Sequence, residues 1–253
     1  MTTAVCGESP APNPRSVPEM AELPFRPPKV EADLQPQIWE LGIDLGSTYS
    51  GATYCLISPS NPFCTRNIVY NVGGYKAALQ SKVTIDGKFP TLLRYDVTGI
   101  CVAWGHAVEG KLQSSENPGY VVKLFKTGLD CSERTVEEPT ELDDILRRLG
   151  KSIDDVFVDF FRLWLIHIKN QLSLVGYRSC DVVHFTVTVP AAWKMAGRRR
   201  QEMAFLGAKS AAGFAAEDTV ALCTEPEAAA AYVLATTELV GVEVTMDVRI
   251  GVF

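Results

Sequence analysis

The apolar positions of this chain change period along its length. From Ile38 they follow the two-residue period of strands. Residues 38–45 and 53–57 read as strands around a turn rich in Gly and hydroxyls. Residues 82–85, 92–95 and 99–104 read as further short strands, bounded by Asp86-Gly87 and by a turn from Asp96 to Gly99. Residues 111–140 are mixed and loop-rich, with one short apolar cluster at 120–125. The period then lengthens. Ser152 can cap a helix whose first turn carries Asp154 and Asp155, where the dipole favours acids. Val156, Phe157, Phe160, Phe161, Trp164, Leu165, Ile168 and Leu172 follow at helical spacing and predict a wide buried stripe, ending at Gly176. Its aromatic residues read as core, not as a ligand box. A strand over 182–189 stops at Pro190, a helix spans 194–212 with Gly213 as its cap, and 220–223 is a short strand. Glu225-Pro226-Glu227 opens an alanine-rich helix to about Thr236, with proline where its missing N–H is harmless. Val242, Val244, Met246, Val248, Ile250 and Val252 alternate as a half-buried strand would. Strands interleaved with helices predict an α/β fold that binds ligands near strand ends and helix starts.

The segment up to Pro36 holds eight of the 15 prolines and few apolar residues, so residues 1–36 are expected to be a disordered Pro-rich tail. The whole chain has 253 residues, 47% hydrophobic and 21% charged, enough for one large domain or two modest ones. A formal charge of -6 and a pI of about 5.2 argue against a nucleic-acid partner. The one basic run, Arg198-Arg199-Arg200, falls in a helical pattern and reads as a solvated face. The 7 cysteines are irregularly spaced without a C-x-x-C pair, which suits free thiols in a reducing compartment. His167 and His184 lie in apolar segments and read as packed side chains. The first twenty residues lack an apolar signal region, and no apolar run is long enough to cross a bilayer. The expectation is a soluble protein of the cytoplasm, or alternatively the nucleus, with no membrane partner.

The chemistry concentrates in Gly42-Ile43-Asp44-Leu45-Gly46-Ser47-Thr48-Tyr49-Ser50-Gly51. A glycine without Cβ lets a turn approach a ligand, and successive turn N–H groups form a concavity suited to phosphate. A carboxylate next to bound phosphate is repulsive unless a cation lies between them, so Asp44 points to Mg²⁺ or its waters. The same residues also fit an ordinary hairpin with Asp44 exposed.

Four blocks in order carry a family resemblance. Leu41 to Ser50 resembles the first phosphate motif of the Hsp70 chaperones, in the actin-like ATPase superfamily. Val187-Thr188-Val189-Pro190-Ala191-Ala192-Trp193 resembles their strand-to-proline connection, and Cys223-Thr224-Glu225-Pro226-Glu227-Ala228-Ala229-Ala230 their Glu-Pro helix start. Val102-Ala103-Trp104-Gly105, followed by Leu124-Phe125-Lys126, lies where that family has a Gly-containing strand end and a catalytic lysine. The wording of two blocks is similar to the divergent heat-shock 70 kDa protein 12-like branch. The resemblance covers residues 38–236 and implies an actin-like (ribonuclease H-like) fold, a mixed sheet with flanking helices. Residues 37–236 would form lobe I of a two-lobed nucleotide-binding domain, with an inserted subdomain at about 75–150.

It also implies roles. Asp44 would direct Mg²⁺ through water. Gly46, Ser47, Thr48 and Tyr49 would contact the phosphates of ATP or ADP. Lys126, with Lys123 as the alternative one turn away, would neutralise the transferred phosphoryl and orient water. Pro190 would mark the lobe-to-lobe switch, and Glu225 would position the water network near the metal. Glu225 also reads simply as an acid favoured at a helix N-terminus. The full-length family hydrolyses ATP in chaperone action and the stress response, with unfolded clients and co-chaperones as partners.

The family's second phosphate hairpin, Asp-x-Gly-Gly-Gly-Thr, would follow the Glu-Pro helix. Here the position holds Asp247-Val248-Arg249-Ile250-Gly251, without the glycine triplet. Residues 237–253 are therefore expected to be the truncated start of lobe II. This gives two readings: a nucleotide-binding chaperone-type ATPase fragment of weak or absent activity, or a non-catalytic paralogue that acts as a protein-interaction fragment. A sugar- or acetate-kinase relative fits the Glu-Pro block less well.

Overall fold

The computed structural model describes residues 35–57, 69–75, 87–111, 119–129 and 139–236. The expected tail (apart from its last two residues), the strand at 82–85 and the segment 237–253 with Asp247 lie outside the described residues. No helix among those described is long and apolar enough to cross a membrane.

The main sheet has six strands. β1 (Ile38–Asp44) pairs antiparallel with β2 (Tyr49–Ile57), which carries the short β3 (Tyr70–Asn71) and β4 (Lys88–Pro90) further along the same partner. On its other side β1 pairs parallel with β8 (Val182–Val189), and β8 pairs parallel with β9 (Thr219–Thr224), giving the order β3-β2-β1-β8-β9. A second antiparallel sheet has the order β6-β5-β7, from β5 (Leu92–Asp96), β6 (Cys101–Trp104) and β7 (Gly119–Lys123). The helices are α1 (His106–Lys111), α2 (Glu141–Leu149), α3 (Ile153–Leu174), α4 (Met195–Ala211) and α5 (Glu225–Thr236). This is the expected α/β class, a mixed sheet with flanking helices.

α3 begins where the sequence places it. The Ser152 hydroxyl accepts the Asp155 N–H while the Asp155 carboxylate accepts the Ser152 N–H, a reciprocal cap that satisfies two otherwise orphaned donors. Its eight predicted stripe residues are all buried. They join Leu41 and Ile43 of β1 and Leu93, Tyr95 and Val122 of the second sheet in one hydrophobic cluster. The second sheet therefore shares the core of the first. Each fully buried ring or branched side chain in that cluster contributes roughly 1.5–3 kcal/mol.

The central strands alternate. Trp39, Leu41 and Ile43 of β1 and Val183, Phe185 and Val187 of β8 are buried in the core cluster. The intervening positions are more polar: Glu40 faces His184 across the ladder at 2.8 Å, and Asp44 follows two residues after Gly42.

The arginine triplet departs from a solvated face. Only Arg199 fits that description, paired with Glu202 and 64% exposed. Arg200 makes a two-pronged pair with Asp154 in the first turn of α3 (3.0 and 2.9 Å), tying α4 to α3. Arg198 donates to the carbonyls of Trp193 and Ala191 and braces the turn after Pro190. Periodicity reports which residues face outward, not which long side chains find a carbonyl on arrival.

Candidate functional site

Three parallel strands end together. Ile43 is in register with Val187, and Val187 with Leu222, so Asp44, Thr188 and the start of α5 at Glu225 gather at the carboxyl edge of the sheet. A cleft of about 530 Å³ opens there. Asp44, Gly46, Lys126, Thr188, Trp193 and Glu225 are among its lining residues.

The turn between β1 and β2 is held rigidly. The Thr91 hydroxyl donates to the Gly46 carbonyl at 2.9 Å and lies 2.7 Å from the Ser50 hydroxyl, while the Thr91 N–H donates to the Thr48 carbonyl at 2.8 Å. Gly46 is required: a Cβ there would lie 2.1 Å from the Tyr49 carbonyl oxygen. Gly46, Ser47 and Tyr49 line the cleft. Thr48 does not. Its side chain is exposed and its carbonyl accepts the Thr91 N–H.

Lys126 reaches the cleft from a short 3-10 helix, Phe125–Gly128. The preceding Leu124 is left-handed, φ 54° and ψ 21°, a conformation disfavoured for a residue with a Cβ. That bend sends Phe125 into the core and Lys126 into the cleft wall. Lys126 is 4% exposed. Its ammonium donates to the Leu45 carbonyl and, at 2.6 Å, to Glu225 Oε1, and lies 6.0 Å from the centre of the Trp193 ring. An ammonium has three donors, so one remains. Lys123 is elsewhere: it is 56% exposed and 3.7 Å from Glu141 of α2. Of the two alternatives, only Lys126 meets Asp44 and Glu225 at one cleft.

Asp44 is engaged through both oxygens. Oδ1 accepts the Thr188 hydroxyl at 3.1 Å, and Oδ2 accepts the Lys88 ammonium at 2.7 Å. Behind Thr188, the buried Gln201 of α4 donates to the Thr188 carbonyl at 2.9 Å. Pro190 lines the cleft, and its carbonyl accepts the Trp193 N–H, closing the turn that presents the indole. Glu225 opens α5, whose cap comes from Thr224: its hydroxyl accepts the Glu227 N–H while Glu227 accepts from Thr224. Glu225 is thereby left free of capping duty and 44% exposed.

No family model matches the chain, and no curated protein matches it. Among solved structures it is similar to a non-polymerising mutant of MamK bound to AMPPNP, at 14% identity and a TM-score of 0.36. That similarity covers 79% of this chain and 44% of the other, so the chain spans less than half of the MamK chain.

Lys88, Thr91, Thr188 and Gln201 were absent from the candidate residues read from sequence. Thr188 lies inside the block from Val187 to Trp193, and its place at a strand end two residues before a proline is the available signal. Lys88 carried none, because its partner is set by pairing between β2 and β4.

Proposed function

We propose that the cleft binds the polyphosphate of ATP or ADP, and that the chain is the first lobe of an actin-like nucleotide-binding domain from the Hsp70 side of that superfamily. One observation carries this: Asp44, Lys126 and Glu225, drawn from three separated motifs, meet with Gly46 at one cleft, where Lys126 and Glu225 are 2.6 Å apart. Lys126 faces phosphate oxygens with its remaining donor. Gly46 and Ser47 offer backbone at close range. Glu225 holds Lys126 in place and can orient a water beside it.

A metal brought in with the nucleotide would face Asp44, and would supply neutralisation of phosphate charge. The Asp44 side chain fits that role: it lines the cleft, is 31% exposed and already holds a cation, the Lys88 ammonium. Among the described residues no group of three or more His, Cys, Asp or Glu could hold a metal. The branch-level features, chaperone action, clients and a cytoplasmic location, rest on the motif resemblance alone.

Calorimetry with Mg·ATP and Mg·ADP tests the reading. Binding that Lys126→Met weakens supports it; no heat of binding at millimolar nucleotide refutes it. A second reading, a protein-interaction fragment, draws on Tyr232 and Val233 of α5, 52% and 55% exposed. Sedimentation that stays monomeric across concentrations counts against it.

A further inference from the structure

Lys88 belongs to none of the motifs that lead to the cleft, yet it supplies the cation on Asp44. The sheet places it there. Asp44 of β1 is opposite Gly51 of β2, and Gly51 is opposite Lys88 of β4. Gly51 therefore lies between the two charged residues and presents no side chain. A Cβ at Gly51 would sit 3.1 Å from Lys88 Cγ, so the lysine stem crosses the space that a larger residue would fill. At the end of that path the ammonium takes Asp44 Oδ2 while Thr188 takes Oδ1. The pair also separates the cleft from a smaller cavity of about 140 Å³, and both Asp44 and Lys88 line both spaces. A divalent cation approaching Asp44, directly or through its waters, meets an ammonium already seated on the carboxylate.

We propose that Lys88 is a built-in counter-cation of Asp44 that competes with divalent metal for it, and that this makes polyphosphate binding in the cleft only weakly dependent on metal. The ammonium lines the cleft, so on leaving Asp44 it can pass to a phosphate oxygen. The second half of the proposal rests on the nucleotide reading above; the competition at Asp44 does not.

The deciding experiment needs no nucleotide. Terbium(III) stands in for a divalent ion, and its luminescence is sensitised by Trp193 and Tyr49, which line the cleft. Titrations compare the unaltered chain, Lys88→Met, and Lys88→Met combined with Asp44→Asn, with circular dichroism checking that each is folded. Lys88→Met should bind terbium about fivefold more tightly, the scale set by loss of a half-exposed ion pair. The double variant should lose that gain. Gly51→Ala, which crowds the lysine stem and keeps its charge, should give a smaller gain in the same direction. Equal affinity in the unaltered and Lys88→Met chains overturns the proposal, as does a gain that survives Asp44→Asn. In calorimetry, ATP binding by the unaltered chain should change little between EDTA and excess Mg²⁺, whereas Lys88→Met should bind well only with Mg²⁺. If no chain binds ATP under either condition, the nucleotide reading falls while the terbium result still decides the competition.

Discussion

The surroundings of α3 and the cleft are built from the same sheet by opposite means. Around α3, Phe89, Phe160 and Trp164 meet ring to ring with centroids 5.1–5.9 Å apart, fully buried. At the cleft, four charged side chains form two pairs, Lys126 with Glu225 and Lys88 with Asp44. The first region is held by shape and by exclusion of water, and its rings have no alternative partners of equal worth. The second is held by charge, with one member of the first pair and both of the second in contact with solvent, so its pairs contribute little to folding and can be exchanged for a ligand. Stability and binding should therefore be separable by mutation.

The largest effect should come from the interior. Phe160→Ala should lower stability by about 3–5 kcal/mol in urea denaturation. A loss as small as that of a cleft variant would dissolve the contrast. Gly46→Ala should be intermediate, about 1–3 kcal/mol, because the Tyr49 carbonyl must move to admit the new methyl. It should also abolish nucleotide binding by calorimetry, since the turn cannot keep its shape. Lys126→Met should cost about 1–3 kcal/mol, because the Leu45 carbonyl loses this buried donor although Glu225 stays hydrated, while reducing nucleotide affinity by about tenfold or more.

A pH measurement sharpens the comparison from the interior side. Burial pushes the His167 imidazole below its ordinary value of 6.5, and its bond to the Gly73 carbonyl only partly offsets this. The folded state thus binds this proton less readily than the unfolded chain. The resulting stability is complete above 6.5 and is lost as pH falls from there through the folded value. Melting temperatures between about pH 7.5 and about pH 5.5 should fall, and His167→Gln should flatten that slope. The smallest effect belongs to Lys123→Ala, within about 0.5 kcal/mol and with nucleotide binding unchanged, as its pair with Glu141 is exposed. A binding defect there would reverse the assignment of Lys126.

Punctuated elements were legible in the sequence. The strand 182–189 and the helix from Glu225 to Thr236 have the observed bounds, because Pro190 and Glu225-Pro226 mark their ends chemically. The α3 stripe was legible because eight apolar residues at one period leave no other solution. β2 begins at Tyr49, four residues before the expected start, since Ser50, Gly51 and Ala52 carry little strand character and extend through pairing with β1. α2 went unseen. It buries no residue fully, and its signature is the reciprocal cap of Thr140 and Asp143 within a polar stretch. At the site, Asp44, Lys126 and Glu225 stood inside motifs. Thr91 and Lys88 act through partners 40 or more residues away, and local pattern carries no information about them.

The alternation along β1 ties chemistry to architecture. Successive side chains point to opposite sides, so a misregistered β1, shifted by a single residue, would drive Asp44 into hydrocarbon and expel Ile43 to the wet side. Such a shift would be rejected by the interior long before any ligand sampled it. The oily face thus proofreads the acidic one: a chain that completes its sheet has, by the same act, aimed its carboxylate.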